Sequence, residues 1–113
     1  MGKCPHSWSF CAQSGLKGHN NNWTPWGEKI ATDGGEEVLG VALDMVSGII
    51  SYGLNGTWST PVGVAFESIN TKLHFFPAIS GCNSKVSVNT GDEPVRFAGP
   101  DPSYLRLSEL RYV

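Results

Sequence analysis

The chain has 113 residues, of which 40% are hydrophobic and 16% charged, with a formal net charge of −2. This composition fits one soluble globular domain with material for a core, and it excludes a disordered tail. It also excludes the clustered Lys and Arg of a nucleic-acid footprint, and no apolar run approaches the ~18 residues of a membrane-spanning helix.

In chain order, Met1 to His6 lack the apolar stretch of a signal peptide, so the expected location is the cytosol or nucleus. Without that signal, the glycosylation-type tripeptides Asn22-Trp23-Thr24 and Asn55-Gly56-Thr57 carry no weight. Cys4, Cys11 and Cys82 are an odd count, so a disulfide framework would leave one thiol over. In a reducing compartment their expected role is that of small buried hydrophobes. Cys4-Pro5-His6 with Cys11 gathers metal-type ligands, but a structural zinc site takes four, commonly as paired Cys-x-x-Cys units, and no second pair follows. No metal or other cofactor is expected.

Ser7-Trp8-Ser9-Phe10 reads as a strand with both aromatics on one face, and Trp8 and Trp26 read as core. Trp23 and Trp58 differ: each stands in a polar setting, Asn20-Asn21-Asn22-Trp23-Thr24 and Thr57-Trp58-Ser59-Thr60. Tryptophan flanked by Asn and Ser has the composition of a binding hot spot, although such rings also fold back over sheet edges. Val38 to Leu43 is an apolar run, expected as a strand covered on both faces. Asp44 is expected to cap the turn at Ser47-Gly48. Ile50, Tyr52 and Leu54 alternate with Ser51 and Gly53, the period of a strand with one buried face, and Asn55-Gly56 is a strong hairpin signal. Further strands are expected at Leu73 to Ser80, where Pro77 implies an edge or bulge, and at Val86 to Asn89. The tail from Ser103 to Leu110 suits a short helix or a strand equally. Short strands at regular spacing with turn signals imply an all-β sandwich or barrel.

The inventory for catalysis is thin. Ser14-Gly15 and Ser80-Gly81 lie outside any G-x-S-x-G context. The carboxylate pairs Glu36-Glu37 and Asp92-Glu93 are sequence neighbours, which a strand would send to opposite faces. Asp33-Gly34-Gly35 lacks the Lys-Ser/Thr of a phosphate loop. The chain is expected not to be an enzyme.

Gly40-Val41-Ala42-Leu43-Asp44, then Ile49-Ile50-Ser51-Tyr52 and Asn55-Gly56, resemble the central signature of SPRY domains. Gly63-Val64-Ala65-Phe66, Phe76-Pro77-Ala78-Ile79-Ser80 and Val86-Ser87-Val88-Asn89-Thr90-Gly91 resemble the family's later motifs, with Thr90 in place of an aromatic. Ser7-Trp8-Ser9-Phe10, His19-Asn20 and Trp26-Gly27-Glu28 resemble its earlier ones. The likeness covers roughly residues 7–100 of a single domain. It implies a bent antiparallel β-sandwich of the concanavalin-like kind. It also implies an adaptor that binds a protein or peptide through loops, in some relatives for ubiquitin ligases.

Carried over by motif, the ligand-binding residues are Gly18, His19, Asn20, Asn21, Asn22 and Trp23 in one loop, and Asn83, Ser84 and Lys85 in another, with Trp58 at their border. Two departures stand out. In the ubiquitin-ligase adaptor subgroup an aromatic stands at the Gly18 position and Val-Trp-Gly at that of Cys82-Asn83-Ser84, so that subgroup's acidic, Asn-bearing peptide ligand is not carried over. Family members also carry strands before the Ser7-Trp8 motif. The expectation is completion of the sheets by a second copy or another chain, or an abbreviated sandwich. Lectin-like glycan binding, or a structural piece of an assembly, stays open as an alternative.

Overall fold

The computed structural model describes residues 2, 4–30, 37–79, 87–90, 93, 94 and 96–106. Among them are six strands and no helix: β1 (Trp8–Cys11), β2 (Leu16–His19), β3 (Asn22–Pro25), β4 (Leu39–Asp44), β5 (Ile49–Leu54) and β6 (Gly63–Phe66). They form two antiparallel three-stranded sheets, in the orders β1-β2-β3 and β4-β5-β6.

Turn chemistry dictates this meander. At the β2–β3 connection, Asn20 and Asn21 take φ of 51° and 61° between the paired His19 and Asn22. That is a two-residue hairpin turn with both central residues left-handed, a conformation asparagine tolerates. Between β4 and β5, Asp44 Oδ1 accepts the N–H of Val46 (2.9 Å) and of Ser47 (3.0 Å), as the sequence predicts for this carboxylate. Gly48 closes that turn at φ 71°, where a Cβ would stand 2.6 Å from the Ile69 carbonyl oxygen. Asn55 and Gly56 make the next turn at φ 50° and 86°, with Leu54 and Thr57 exchanging both backbone hydrogen bonds at 2.9 Å.

Strand alternation decides what the sheets bury. Trp8, Phe10, Lys17 and His19 share the inner face of the first sheet, while Ser9, Gly18 and Trp23 share the outer one. In the second sheet Ile50, Tyr52 and Phe66 face inward, and the cross-strand pairs Gly40↔Gly53 and Ala42↔Ser51 face outward. The core cluster is Ile50, Tyr52, Val62, Ala65 and Ile69, with Trp8 and Phe10 of the first sheet and Trp26, just after β3, packed against it. Tyr52 meets Phe10 at 5.3 Å and Trp26 at 5.9 Å between ring centroids. Each such pair adds roughly 0.5–1.5 kcal/mol to the area term.

Several expectations change. The β4 run is a strand, but Leu39 and Val41 are exposed (39% and 65%), because among the described residues β4 is a sheet edge. Conversely, β5 is buried on both faces: it is the central strand, and Gly53 lies under the Trp58 ring. Residues 73–79 form no strand; Phe75 packs on Trp8 at 5.5 Å, but Phe76 and Ile79 are exposed and Pro77 interrupts the donors. Residues 87–89 likewise join no ladder, and Val86 lies outside the described residues. In the tail, Ser103 caps no helix: its N–H is bound by Asp101 Oδ1 at 2.8 Å in an Asx turn, and 107–110 lie outside the described residues. Cys4 is exposed, contrary to expectation, and Cys11 is half-buried at the end of β1. Cys82 lies outside the described residues.

Candidate functional site

The site grows from one cross-strand pair. Trp8↔His19 sets two inward-facing rings side by side, stacked at 4.7 Å with only 8° between their planes. Phe66, the last residue of β6, meets His19 edge-on at 6.2 Å. His19 Nδ1 lies 3.0 Å from the Ser7 carbonyl oxygen. A carbonyl only accepts, so the Nδ1–H donates to it and fixes the ring's orientation. Above these three rings lies a cleft of about 330 Å³ between the start of β1 and the segment after β6, where Pro5, His6, residues 67–70 and Leu73 complete the lining. Ser68 holds a left-handed φ of 56° in that wall. The result is an apolar floor beneath an exposed polar rim.

The residues expected to bind are not one cluster. His19 lines the cleft, and Asn20, Asn21 and Asn22 continue from it as exposed residues of the adjoining turn. The turn is stitched to the segment before β1, the Asn20 N–H bonding to Cys4 O (3.1 Å) and the Asn21 N–H to Gly2 O (2.8 Å). Gly18 and Trp23 lie on the opposite face of the same sheet. They are cross-strand partners, and the indole sits so close over Gly18 that a Cβ there would come within 2.7 Å of it. Trp58 lies elsewhere again, on the outer face of the second sheet over Gly40 and Gly53, with Nε1 donating to Ala98 O at 3.0 Å. It does not border the β2–β3 turn. Asn83, Ser84 and Lys85 lie outside the described residues. The sequence reading took Trp8 as core and passed over Phe66, Glu67 and Asn70. The signal it missed is the turn at Ser14-Gly15, with Gly15 at φ 76° and its N–H on the Cys11 carbonyl, which pairs β2 with β1 and so brings His19 beside Trp8.

A family model described as SPRY domain matches residues 1–93. The chain belongs to the SPRY domain family. SPRY domains are β-sandwiches that generally mediate protein–protein binding and are generally non-catalytic, so membership supports a protein-interaction module. Neither the curated proteins nor the solved structures compared with the chain gave a match.

In this SPRY domain a cation supports the site from behind. Lys17, inward-facing on β2, donates to the Ala65 carbonyl at 2.6 Å and lies 5.2 Å from the Phe66 ring centre. Ala65 is available because β6 slips register there: Phe66 pairs with Ile50 but Val64 with Ser51, leaving Ala65 as the extra residue of a bulge. The neighbouring carbonyl of Val64 is taken by Trp26 Nε1 at 3.2 Å. Side chains of the first sheet thus fix β6 and, through Phe66, the cleft floor. Among the described residues no group of three His, Cys, Asp or Glu is placed to hold a metal ion, and no helix is long and apolar enough to cross a membrane. The Cys11 thiol is held below its ordinary pKa by the Ser14 hydroxyl and by the backbone N–H groups of Ser14 and Gln13, against an opposing effect of burial.

Proposed function

We propose that this SPRY domain is a non-catalytic adaptor, and that it takes a short segment of a partner protein in the cleft floored by Trp8, His19 and Phe66. The observation that carries this reading is the stacked, half-buried aromatic floor joined directly to the exposed Asn20-Asn21-Asn22 turn. The floor offers apolar area with little rotamer entropy left to lose, and the rim offers directional hydrogen bonds through His6, Glu67 and Asn70. Of the residues carried over by motif, His19 and Asn20 to Asn22 belong to this face, while Gly18, Trp23 and Trp58 serve as packing partners of sheet faces. Asn83, Ser84 and Lys85 enter on the resemblance alone. Free thiols at Cys4 and Cys11 support a reducing compartment, the cytosol or nucleus.

The test is affinity capture from cell lysate with the native chain, a rim variant (His6→Ala, Asn21→Ala, Asn70→Ala) and Trp23→Ala, each checked for its fold by circular dichroism. A partner held by the native chain and by Trp23→Ala, but lost by the rim variant, is the expected result. A partner lost only with Trp23→Ala would move the binding face to the outer side of the first sheet and overturn the reading.

A further inference from the structure

The second sheet carries a different surface, independent of the cleft. Its outer face is a strip of small cross-strand pairs, Gly40↔Gly53 and Ala42↔Ser51, and the last three of these residues in chain order, Ala42, Ser51 and Gly53, are buried. Without side chains at Gly40 and Gly53 the sheet is flat enough for the Trp58 indole to lie on it: a Cβ at either position would come within 2.8 Å or 2.7 Å of that ring.

The chain's own C-terminal segment is seated here. Phe97 packs on Gly56 in the Asn55-Gly56 turn, where a Cβ would stand 2.9 Å from its ring. The next residue, Ala98, accepts the Trp58 Nε1–H at 3.0 Å. Beyond the Asx turn at Asp101, Tyr104 is half-buried, and it responds to Asp44 at the far end of β4: burial first, then the Asp44 and Asp101 carboxylates, push its phenol above the ordinary pKa. All residues from 96 to 103 are exposed, Phe97 to 39%. Among the described contacts, the Phe97 ring on Gly56 and the Trp58–Ala98 hydrogen bond are anchors that a competing segment can reproduce. The family-model match itself ends at residue 93, before this segment.

We propose that the Trp58 face is a second docking surface, for a partner segment bearing an aromatic residue next to a free backbone carbonyl, and that residues 96–104 occupy it in cis as an internal competitor. A tethered segment acts at millimolar effective concentration, so a partner in trans binds only as the strap yields. Loosening the strap raises the open fraction and, with it, the apparent affinity for the partner.

The experiment uses the full chain and a labelled synthetic peptide of residues 96–106. Trypsin cleavage after Arg96, followed by mass spectrometry, reports strap release, and fluorescence anisotropy reports peptide binding. Phe97→Ala is expected to speed cleavage after Arg96, and to tighten peptide binding by at least about tenfold over the native chain, with the thermal melt of the sheets retained. Adding Trp58→Phe, which keeps a ring but removes the N–H donor, is expected to weaken peptide binding about fivefold. Equal cleavage of native and Phe97→Ala chains would overturn the proposal, as would peptide binding indifferent to Trp58→Phe. So would native protection that disappears on dilution, since the strap would then come from a second copy.

Discussion

Tyr52 lies where the two sheets meet, 6% exposed, with Phe10 and Trp26 against its ring. Burial raises its phenol from an ordinary 10.0 to about 12. Below pH ~10 the phenol is neutral in folded and unfolded chains alike, and its burial costs nothing extra. Between about 10 and 12 only the unfolded chain ionises, so stability falls as pH rises, by roughly 2–3 kcal/mol at the top of that window. Denaturant midpoints measured from pH 8 upward are expected to drop more steeply for the native chain than for Tyr52→Phe. Parallel curves would mean that the ring reaches water. The burial of Tyr52 was legible in the alternation of β5, whereas the fates of Trp23 and Trp58 were not. Their neighbours are polar in sequence, but what decides them is a glycine across the ladder: Gly18 under Trp23, and Gly40 with Gly53 under Trp58. A sequence read along the chain shows the flanking asparagines and serines, and only the register shows the glycines.

At the scale of elements, the turns were the most legible part because each depends on chemistry local to a few residues. The β4–β5 turn shows this in its protonation. Backbone N–H groups of Ser47 and Val46 hold the Asp44 carboxylate below its ordinary value of 3.8. A carboxyl whose folded pKa is depressed stabilises the fold above the unfolded value, and that contribution disappears as pH falls through the folded one. Thermal melts from pH 6 down to pH 2 are expected to show a loss of midpoint in the native chain that exceeds the loss in Asp44→Asn, which keeps an oxygen acceptor but has no charge to titrate. Identical losses would leave the carboxylate without a role in the turn. Legibility ends where an element depends on distant partners. Residues 73–79 have strand composition, yet Phe75 is spent on Trp8 and no ladder forms, because apolar alternation supplies side chains to bury but not a neighbour for the backbone. The bulge at Ala65 was equally hidden, since the partner of the carbonyl it frees, Lys17, is far away in the chain.

Across the whole molecule, the sandwich was readable from strand spacing and motif order, but what joins its sheets was not. No backbone ladder runs between them among the described residues. Besides the aromatic core, the link among the described residues includes two side-chain donors reaching adjacent carbonyls of β6, Lys17 to Ala65 and Trp26 to Val64. The two donors are neighbours themselves, with Lys17 Nζ 6.0 Å from the Trp26 ring centre. Lys17→Met keeps the length of the stem and its packing but leaves the Ala65 carbonyl without its charged donor, for an expected loss of about 1–2 kcal/mol. Trp26→Phe keeps an aromatic ring but strips Val64 of its donor, for about 1 kcal/mol. Because both bonds pin the same bulged strand, loss of one lets β6 shift and weakens the other. The double variant is therefore expected to lose less than the sum of the singles, with a coupling of roughly 0.5–1 kcal/mol in a denaturant-unfolding cycle. Strict additivity would mean that β6 stays in place without either donor, and that the aromatic core alone fixes one sheet on the other.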